Sequence, residues 1–231
     1  YRYRINLDGR GHIISNLTPD GSKHNPSFFG VLCGECRNVG FLNARVESTM
    51  STGAILCGYM GHSTFKDAEG NLLPVVVENC YFEGTVSGKG YLGAIGGTLN
   101  YSPVTIRNCY SNVQILGTST IGNYAGGLAG RIRTEVRLER SYAAGNVIAY
   151  TAGGLIGGGQ NSTTPACIYD NVIAWNDSVT GNSASPLGSI AEEDTLREVL
   201  YSSDMIVNGE AIEGGNTDDE LRQHAAAWGA P

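Results

Sequence analysis

Charge is scarce in this chain. Asp, Glu, Lys and Arg make up 16% of its 231 residues, against roughly 25% in an average globular protein. Lys and Arg number only 15 against 22 Asp and Glu, and the net charge is −7. Both facts argue against nucleic acid or an anionic membrane surface as partner, because each requires grouped cations. No apolar run approaches the ~20 residues that span a bilayer, so this segment is not expected to insert into a membrane. The four histidines, His12, His24, His62 and His224, never lie four apart and have no E-x-x-H partner. There is no G-x-S-x-G elbow. Gly9-Arg10-Gly11 has no helix behind it to make a phosphate loop, and Asp8 before it reads as a turn residue.

What the chain does have is glycine, 33 residues against a norm of about 7%, among many Val, Ile, Thr and Tyr. That combination predicts short strands joined by tight turns. It also repeats. ENCYFEGTV from Glu78, RNCYSNVQI from Arg107 and ERSYAAGNV from Glu139 align and place Cys80, Cys109 and Ser141 in one column. YDNVIAWND is a weaker copy with Asn171 in that column, and RNVGFLNARV from Arg37 places Val39 there. A second motif alternates with the first: GVLCG from Gly30, GAILC from Gly53, GAIGG from Gly93, GGLAG from Gly126 and GGLIG from Gly153, with SPLGS from Ser185 as a marginal sixth. Its central residues are Leu32, Ile55, Ile95, Leu128 and Leu155.

Within a unit the pattern has period two. Val104, Ile106, Cys109, Ser111, Val113 and Ile115 fall on one face, and Thr105, Arg107, Tyr110 and Asn112 on the other. The parity slips at Asn79, Asn108 and Arg140, as a corner between two strands requires. Short strands at a period of about thirty residues, with no crossover helices before residue 188, predict a β-solenoid. About six rungs fit. Outward ladders follow: Tyr81, Tyr110 and Tyr142 in one column, and Glu78, Arg107 and Glu139 in another.

These motifs resemble the GLUG repeat of bacterial surface and secreted proteins, including regions of some IgA-specific metallopeptidases. LDGRGHIISNL, residues 7–17, is similar to the segment that often opens such β-helices. The resemblance covers roughly residues 5–190. It implies an all-β, right-handed parallel β-helix displayed outside a bacterial cell. It supplies no catalytic residue, and because H-E-x-x-H is absent the peptidase activity of multidomain relatives is not carried over.

The expected organisation is a β-helix over residues 1–190 and a capping segment over 191–231. A helix opening at Glu192-Glu193-Asp194 would carry Leu196, Val199 and Leu200. A second follows a capping box at Thr217-Asp218-Asp219-Glu220, with Leu221, Ala225 and Trp228 on one face. Both would cover the last rung, and capped ends predict a monomer. The chain begins YRYRINLDG, without Met, so an export segment is expected ahead of it and the location is extracellular or cell-surface.

Cys33-Gly-Glu-Cys36 lacks the second ligand pair of a zinc site, and the six cysteines read as packing residues or a local disulfide. The sequons at Asn16, Asn161 and Asn176 carry no expected role. No catalytic, cofactor or metal site emerges, and no cofactor is expected. The function read from the sequence is a non-enzymatic adhesin-like module, binding an unidentified host protein or glycan or serving as a spacer. The ladder Tyr81, Tyr110 and Tyr142 is its ligand-facing candidate. The alternative is a polysaccharide-active lyase or hydrolase with a site built from the loops at residues 18–28 and 62–74.

Overall fold

A computed structural model describes residues 4–159 and 165–230. The chain is a β-solenoid of about six turns. Every pairing between successive rungs is parallel, and three sheets run along the axis, one of thirteen strands and two of five. One rung shows the plan. Strand Val104–Arg107 turns at Asn108 into strand Tyr110–Gly117. Strands Tyr124–Gly126 and Ala129–Arg133 then complete the circuit. Val104, Ile106, Cys109, Ser111, Val113 and Ile115 are all buried, so the period-two reading and its slip at the corner both hold.

The corner is the recurrent strained point. Asn38, Asn79, Asn108, Arg140 and Asn171 adopt φ of 54°, 54°, 51°, 42° and 58°. This left-handed region is reached readily by asparagine, whose short amide bonds locally. The side chains of the first four form a ladder. Asn38 donates to Asp8 at 3.0 Å, Asn79 to Asn38 at 3.0 Å and Asn108 to Asn79 at 3.0 Å, and Arg140 Nε donates to Asn108 at 2.8 Å. Asn171 therefore belongs to this corner column. It is Val172 that pairs with Ser141, one position beyond the expected match.

The glycine-rich motif forms the bend between the two five-stranded sheets. Ile95, Leu128 and Leu155 are in register and fully buried. The first two copies are shifted from the expected alignment. Ala54 pairs with Gly93 and Cys57 with Gly96, which puts Leu56 rather than Ile55 opposite Ile95. Leu32 pairs with Met60, in the following strand. Interior columns tolerate the slip because Leu32, Ile55 and Leu56 are all apolar and all buried.

The sheet also continues past residue 190. The helix expected at Glu192 is instead strand Thr195–Tyr201, in register with strand Ile168–Ala174. The open edge of the preceding rung offers a full set of backbone partners, and that outweighs a weak helical spacing. The end is closed by strands Ile206–Val207 and Glu210–Ala211, an antiparallel pair. Met205 fills the core there, with Val207 and Ile212 against it.

The second expected helix, α1, spans Asp218–Ala226 and has the expected capping box at Thr217. It does not cover the last rung. It folds back and lies on the outer face of the solenoid, its Leu221 and Ala225 packed with Ile173, Tyr142, Trp175 and Leu200.

The corner ladder can be tested directly. Asn108→Ala removes two amide hydrogen bonds, worth about 0.5–1.5 kcal/mol each, and forces a Cβ residue without a compensating amide into the left-handed region, at about 1–2 kcal/mol. A loss of about 2–5 kcal/mol is expected in urea melts. Asn108→Gly, which keeps the backbone conformation without strain, should lose clearly less.

Candidate functional site

The N-C-Y segment makes the tyrosine face out. The residue after the corner points inward and the next one outward, so each tyrosine follows a buried Cys or Ser. Tyr81, Tyr110 and Tyr142 are in register on successive rungs, as the repeat predicted. The column extends further: Ile13, Gly40, Tyr81, Tyr110, Tyr142, Ile173 and Leu200 occupy seven rungs. Tyr110 and Tyr142 stack, ring centroids 4.8 Å apart and 28° from parallel.

The column has two halves. Helix α1 covers the later half, burying Ile173 fully. Trp175 pins its start, with Nε1 donating to Asp218 at 2.9 Å and the Arg222 guanidinium 5.4 Å from its ring centre. Beyond the helix, Trp228 swings over the column. With Asn79, Tyr81, Asn108 and Tyr110 it lines a recess of about 340 Å³. Asn79 and Tyr81 are shared with a second recess of about 500 Å³, lined also by Asp8, Arg10, Ile13, Asn38 and Gly40. The two form one groove crossing four rungs, roughly 15 Å at the spacing of stacked strands. Gly40 is the gap in its floor. A Cβ there would meet only Ile13 Cγ1, at 3.4 Å, so a side chain could be housed and the groove would fill.

The groove is lined mainly by apolar and aromatic surface, with the corner amides along one side, and its tyrosines are neutral. Burial and then the Glu83 carboxylate, which accepts the Tyr81 hydroxyl at 3.0 Å, push the Tyr81 phenol up to about 12. Burial raises Tyr110 and Tyr142 as well. Asp8 is held below the usual carboxylate range by the Asn38 amide and the Arg10 N–H. One strand earlier in each rung, the charge column runs Arg37, Glu78, Arg107, Glu139, Asp170 and Arg197. Glu78 bridges Arg37 and Arg107, the latter at 2.6 Å. Glu78 thus ties three rungs together and Asp170 reaches Arg197 at 3.9 Å, while Glu139 pairs with Arg137 of its own strand.

The other sequence candidates are dispersed. Cys36, Cys57, Cys80 and Cys109 are buried thiols, so Cys33 and Cys36 form no bridge. A hydrogen bond with Cys80 and burial raise Cys36, and burial raises Cys57 and Cys109. Among the described residues no three His, Cys, Asp or Glu side chains gather as a metal site would require. Asn16 is held in its own left-handed turn, accepting from Asn43 at 2.6 Å. Asn176 is buried and donates to the Gly145 carbonyl at 2.5 Å, and Asn161 lies outside the described residues. Sequence reasoning missed Trp228 and Gly40 as members of the face. The available signal was an amphipathic helix ending in Trp after the last rung, which was assigned to the end of the rod.

No protein-family model matches the chain, and no curated protein matches it. Among solved structures, the chain is similar to a crystal structure from Bacteroides ovatus described as "a putative immunoglobulin A1 protease". Identity is 31% over 98% of this chain and 73% of that one, with a TM-score of 0.82.

Both tryptophans of the chain, Trp175 and Trp228, sit where α1 meets the sheet, so fluorescence reports its docking. Leu221→Ala deletes the buried anchor, at about 2–5 kcal/mol of local packing. The expected result is a red-shifted tryptophan emission with the far-ultraviolet β signal retained. An unshifted emission would mean that the helix is held by other contacts.

Proposed function

Because this chain belongs to the same family as the Bacteroides ovatus β-solenoid protein, we propose that it is a GLUG-type, non-enzymatic binding module displayed outside a bacterial cell, engaging a glycan along the tyrosine groove. The observation that carries the reading is the groove itself. Two outward tyrosines and Trp228 offer flat apolar surfaces, the Asn38, Asn79 and Asn108 amides line one side, and the whole crosses four rungs. Rigid aromatic planes flanked by amides suit the alternating apolar and hydroxyl surfaces of a sugar chain. The tyrosines are held by rung stacking before any ligand arrives, which lowers the ordering cost of binding.

The name of the neighbour concerns an immunoglobulin-cleaving enzyme. That activity is not assigned to this chain, whose described residues gather no metal-binding group and whose sequence lacks H-E-x-x-H.

The test exposes purified protein to immobilised mucins and plant polysaccharides and to immunoglobulin A1, following retention and the size of each polymer. Retention of an intact polymer is expected. Tyr110→Ala should weaken it at least tenfold, about 1.4 kcal/mol, and Tyr81→Ala by a similar factor. Shortening of any polymer, or cleavage of the immunoglobulin, would refute the non-enzymatic reading. Retention unchanged in both variants would remove the groove from it.

A further inference from the structure

A second recess lies on a different side of the solenoid, at the bend between the two five-stranded sheets. It encloses about 450 Å³ between rungs four and six, within the range of small-molecule sites. Two outward columns taper to make it. One runs Tyr91, Tyr124, Thr151, Ser183. The other runs Thr98, Arg131, Gly158. Where the bulky residues stop, the surface sinks.

Tyr124 and Arg131 lie across the bare backbone that the glycines leave. A Cβ at Gly158 would come within 2.4 Å of the Tyr124 ring, and one at Gly159, where φ is +99°, within 2.2 Å of Arg131 Cγ. The two glycines are therefore what lets this pair adopt its position. Arg131 donates from Nη1 to the Tyr91 hydroxyl at 2.7 Å, its guanidinium carbon 4.7 Å from the centre of that ring.

Five of the described arginines, Arg37, Arg107, Arg137, Arg197 and Arg222, meet a carboxylate, and Arg131 is among those that do not. Among the described residues Arg131 meets none, its Nε is buried without a hydrogen-bond partner, and no Asp or Glu lines the recess. In an acidic protein, a half-buried cation without a counter-ion has an unmet electrostatic requirement that an incoming anion fulfils.

We infer that this recess binds a carboxylate-bearing sugar, an acidic monosaccharide or the acidic residue of a glycan, with Arg131 meeting the carboxylate. The rest of the lining fits that class. Thr151, Ser183 and Ser189 supply hydroxyls, the Tyr124 ring supplies a flat wall, and among the described residues Ala152 is the only aliphatic side chain in the lining. A peptide ligand would find no apolar pocket for its side chains. The site shares no residue with the tyrosine groove and stands independently of it.

Titration calorimetry with free N-acetylneuraminic acid and with galacturonic acid tests the inference. Neutral N-acetylglucosamine, inorganic phosphate and a short acidic peptide serve as the other arms. At least one acidic sugar should bind at least tenfold more tightly than the neutral sugar, phosphate or peptide, and more weakly as salt is raised. Arg131→Gln should lose at least tenfold. Ser183→Trp, which fills the recess from an exposed position and leaves Arg131 in place, should also abolish binding, so the result does not hang on one variant's folding. Tyr81→Ala and Tyr110→Ala should bind the acidic sugar normally, which separates this site from the groove. Equal affinity for neutral sugar, phosphate binding as tightly as the sugars, tighter binding of the peptide, no binding at all, or indifference to both substitutions would each overturn it.

Discussion

Each rung has to turn at the same place for the next rung to hydrogen-bond to it, and the turn at Asn38, Asn79, Asn108 and Asn171 is left-handed. The rest of the solenoid depends on that corner. It flips the side-chain parity once per rung, so Val104 and Ile106 before it and Cys109, Ser111 and Val113 after it all face inward. Without the flip, one of the two strands would present its apolar residues to water. A side-chain ladder joins the corners at Asn38, Asn79, Asn108 and Arg140 and offsets some of the conformational cost. Arg140, a poorer left-handed residue than asparagine, takes the same position by donating to Asn108, which shows how strongly the stack imposes its geometry on whatever residue arrives there.

Rung-to-rung identity is also why so much of the fold was legible. A repeat writes its columns into the sequence, and the Cys80, Cys109, Ser141 column and the Tyr81, Tyr110, Tyr142 column are legible there. The alternating charges Glu78, Arg107 and Glu139 could be read in the same way. Legibility failed where the repeat degenerates. Asn171 was misplaced by one residue because the corner asparagine and the following inward residue had been merged in a weak copy. Leu32 and Ile55 were misplaced because an apolar residue satisfies several neighbouring inward positions equally. The strand Thr195–Tyr201 was hidden because its pairing is decided by the exposed edge of the previous rung, a tertiary partner that local spacing does not announce.

The tyrosine column was legible as a ladder but not as a site. What turns it into a groove is long-range: α1 returns over Ile173 and Leu200 and carries Trp228 to Tyr110. An end cap and a lateral strap demand the same amphipathic helix, with the same Leu221 and Ala225 buried. The distinction lies in what the last rung already has. Met205 and the antiparallel strands at Ile206 and Glu210 close the core there, and so the helix is left to bury its apolar face against the nearest exposed apolar column.

Both recesses follow from one architectural rule. The interior columns of a solenoid must stay filled at every rung, because a void in a close-packed core costs contacts that nothing replaces. The exterior columns carry no such obligation. A side chain can be deleted there at small cost in stability, and the deletion leaves a depression bounded by the residues above and below it. Gly40 does this between Ile13 and Tyr81, and Gly158 does it beyond Arg131. Recognition surfaces can in this way be cut into the rod one rung at a time while the asparagine corner and the apolar columns keep the stack in register. A chain whose interior repeats and whose exterior departs from the repeat at a few defined rungs therefore marks its own binding sites. In this protein the departures coincide with an aromatic groove on one side and an unneutralised arginine on the other.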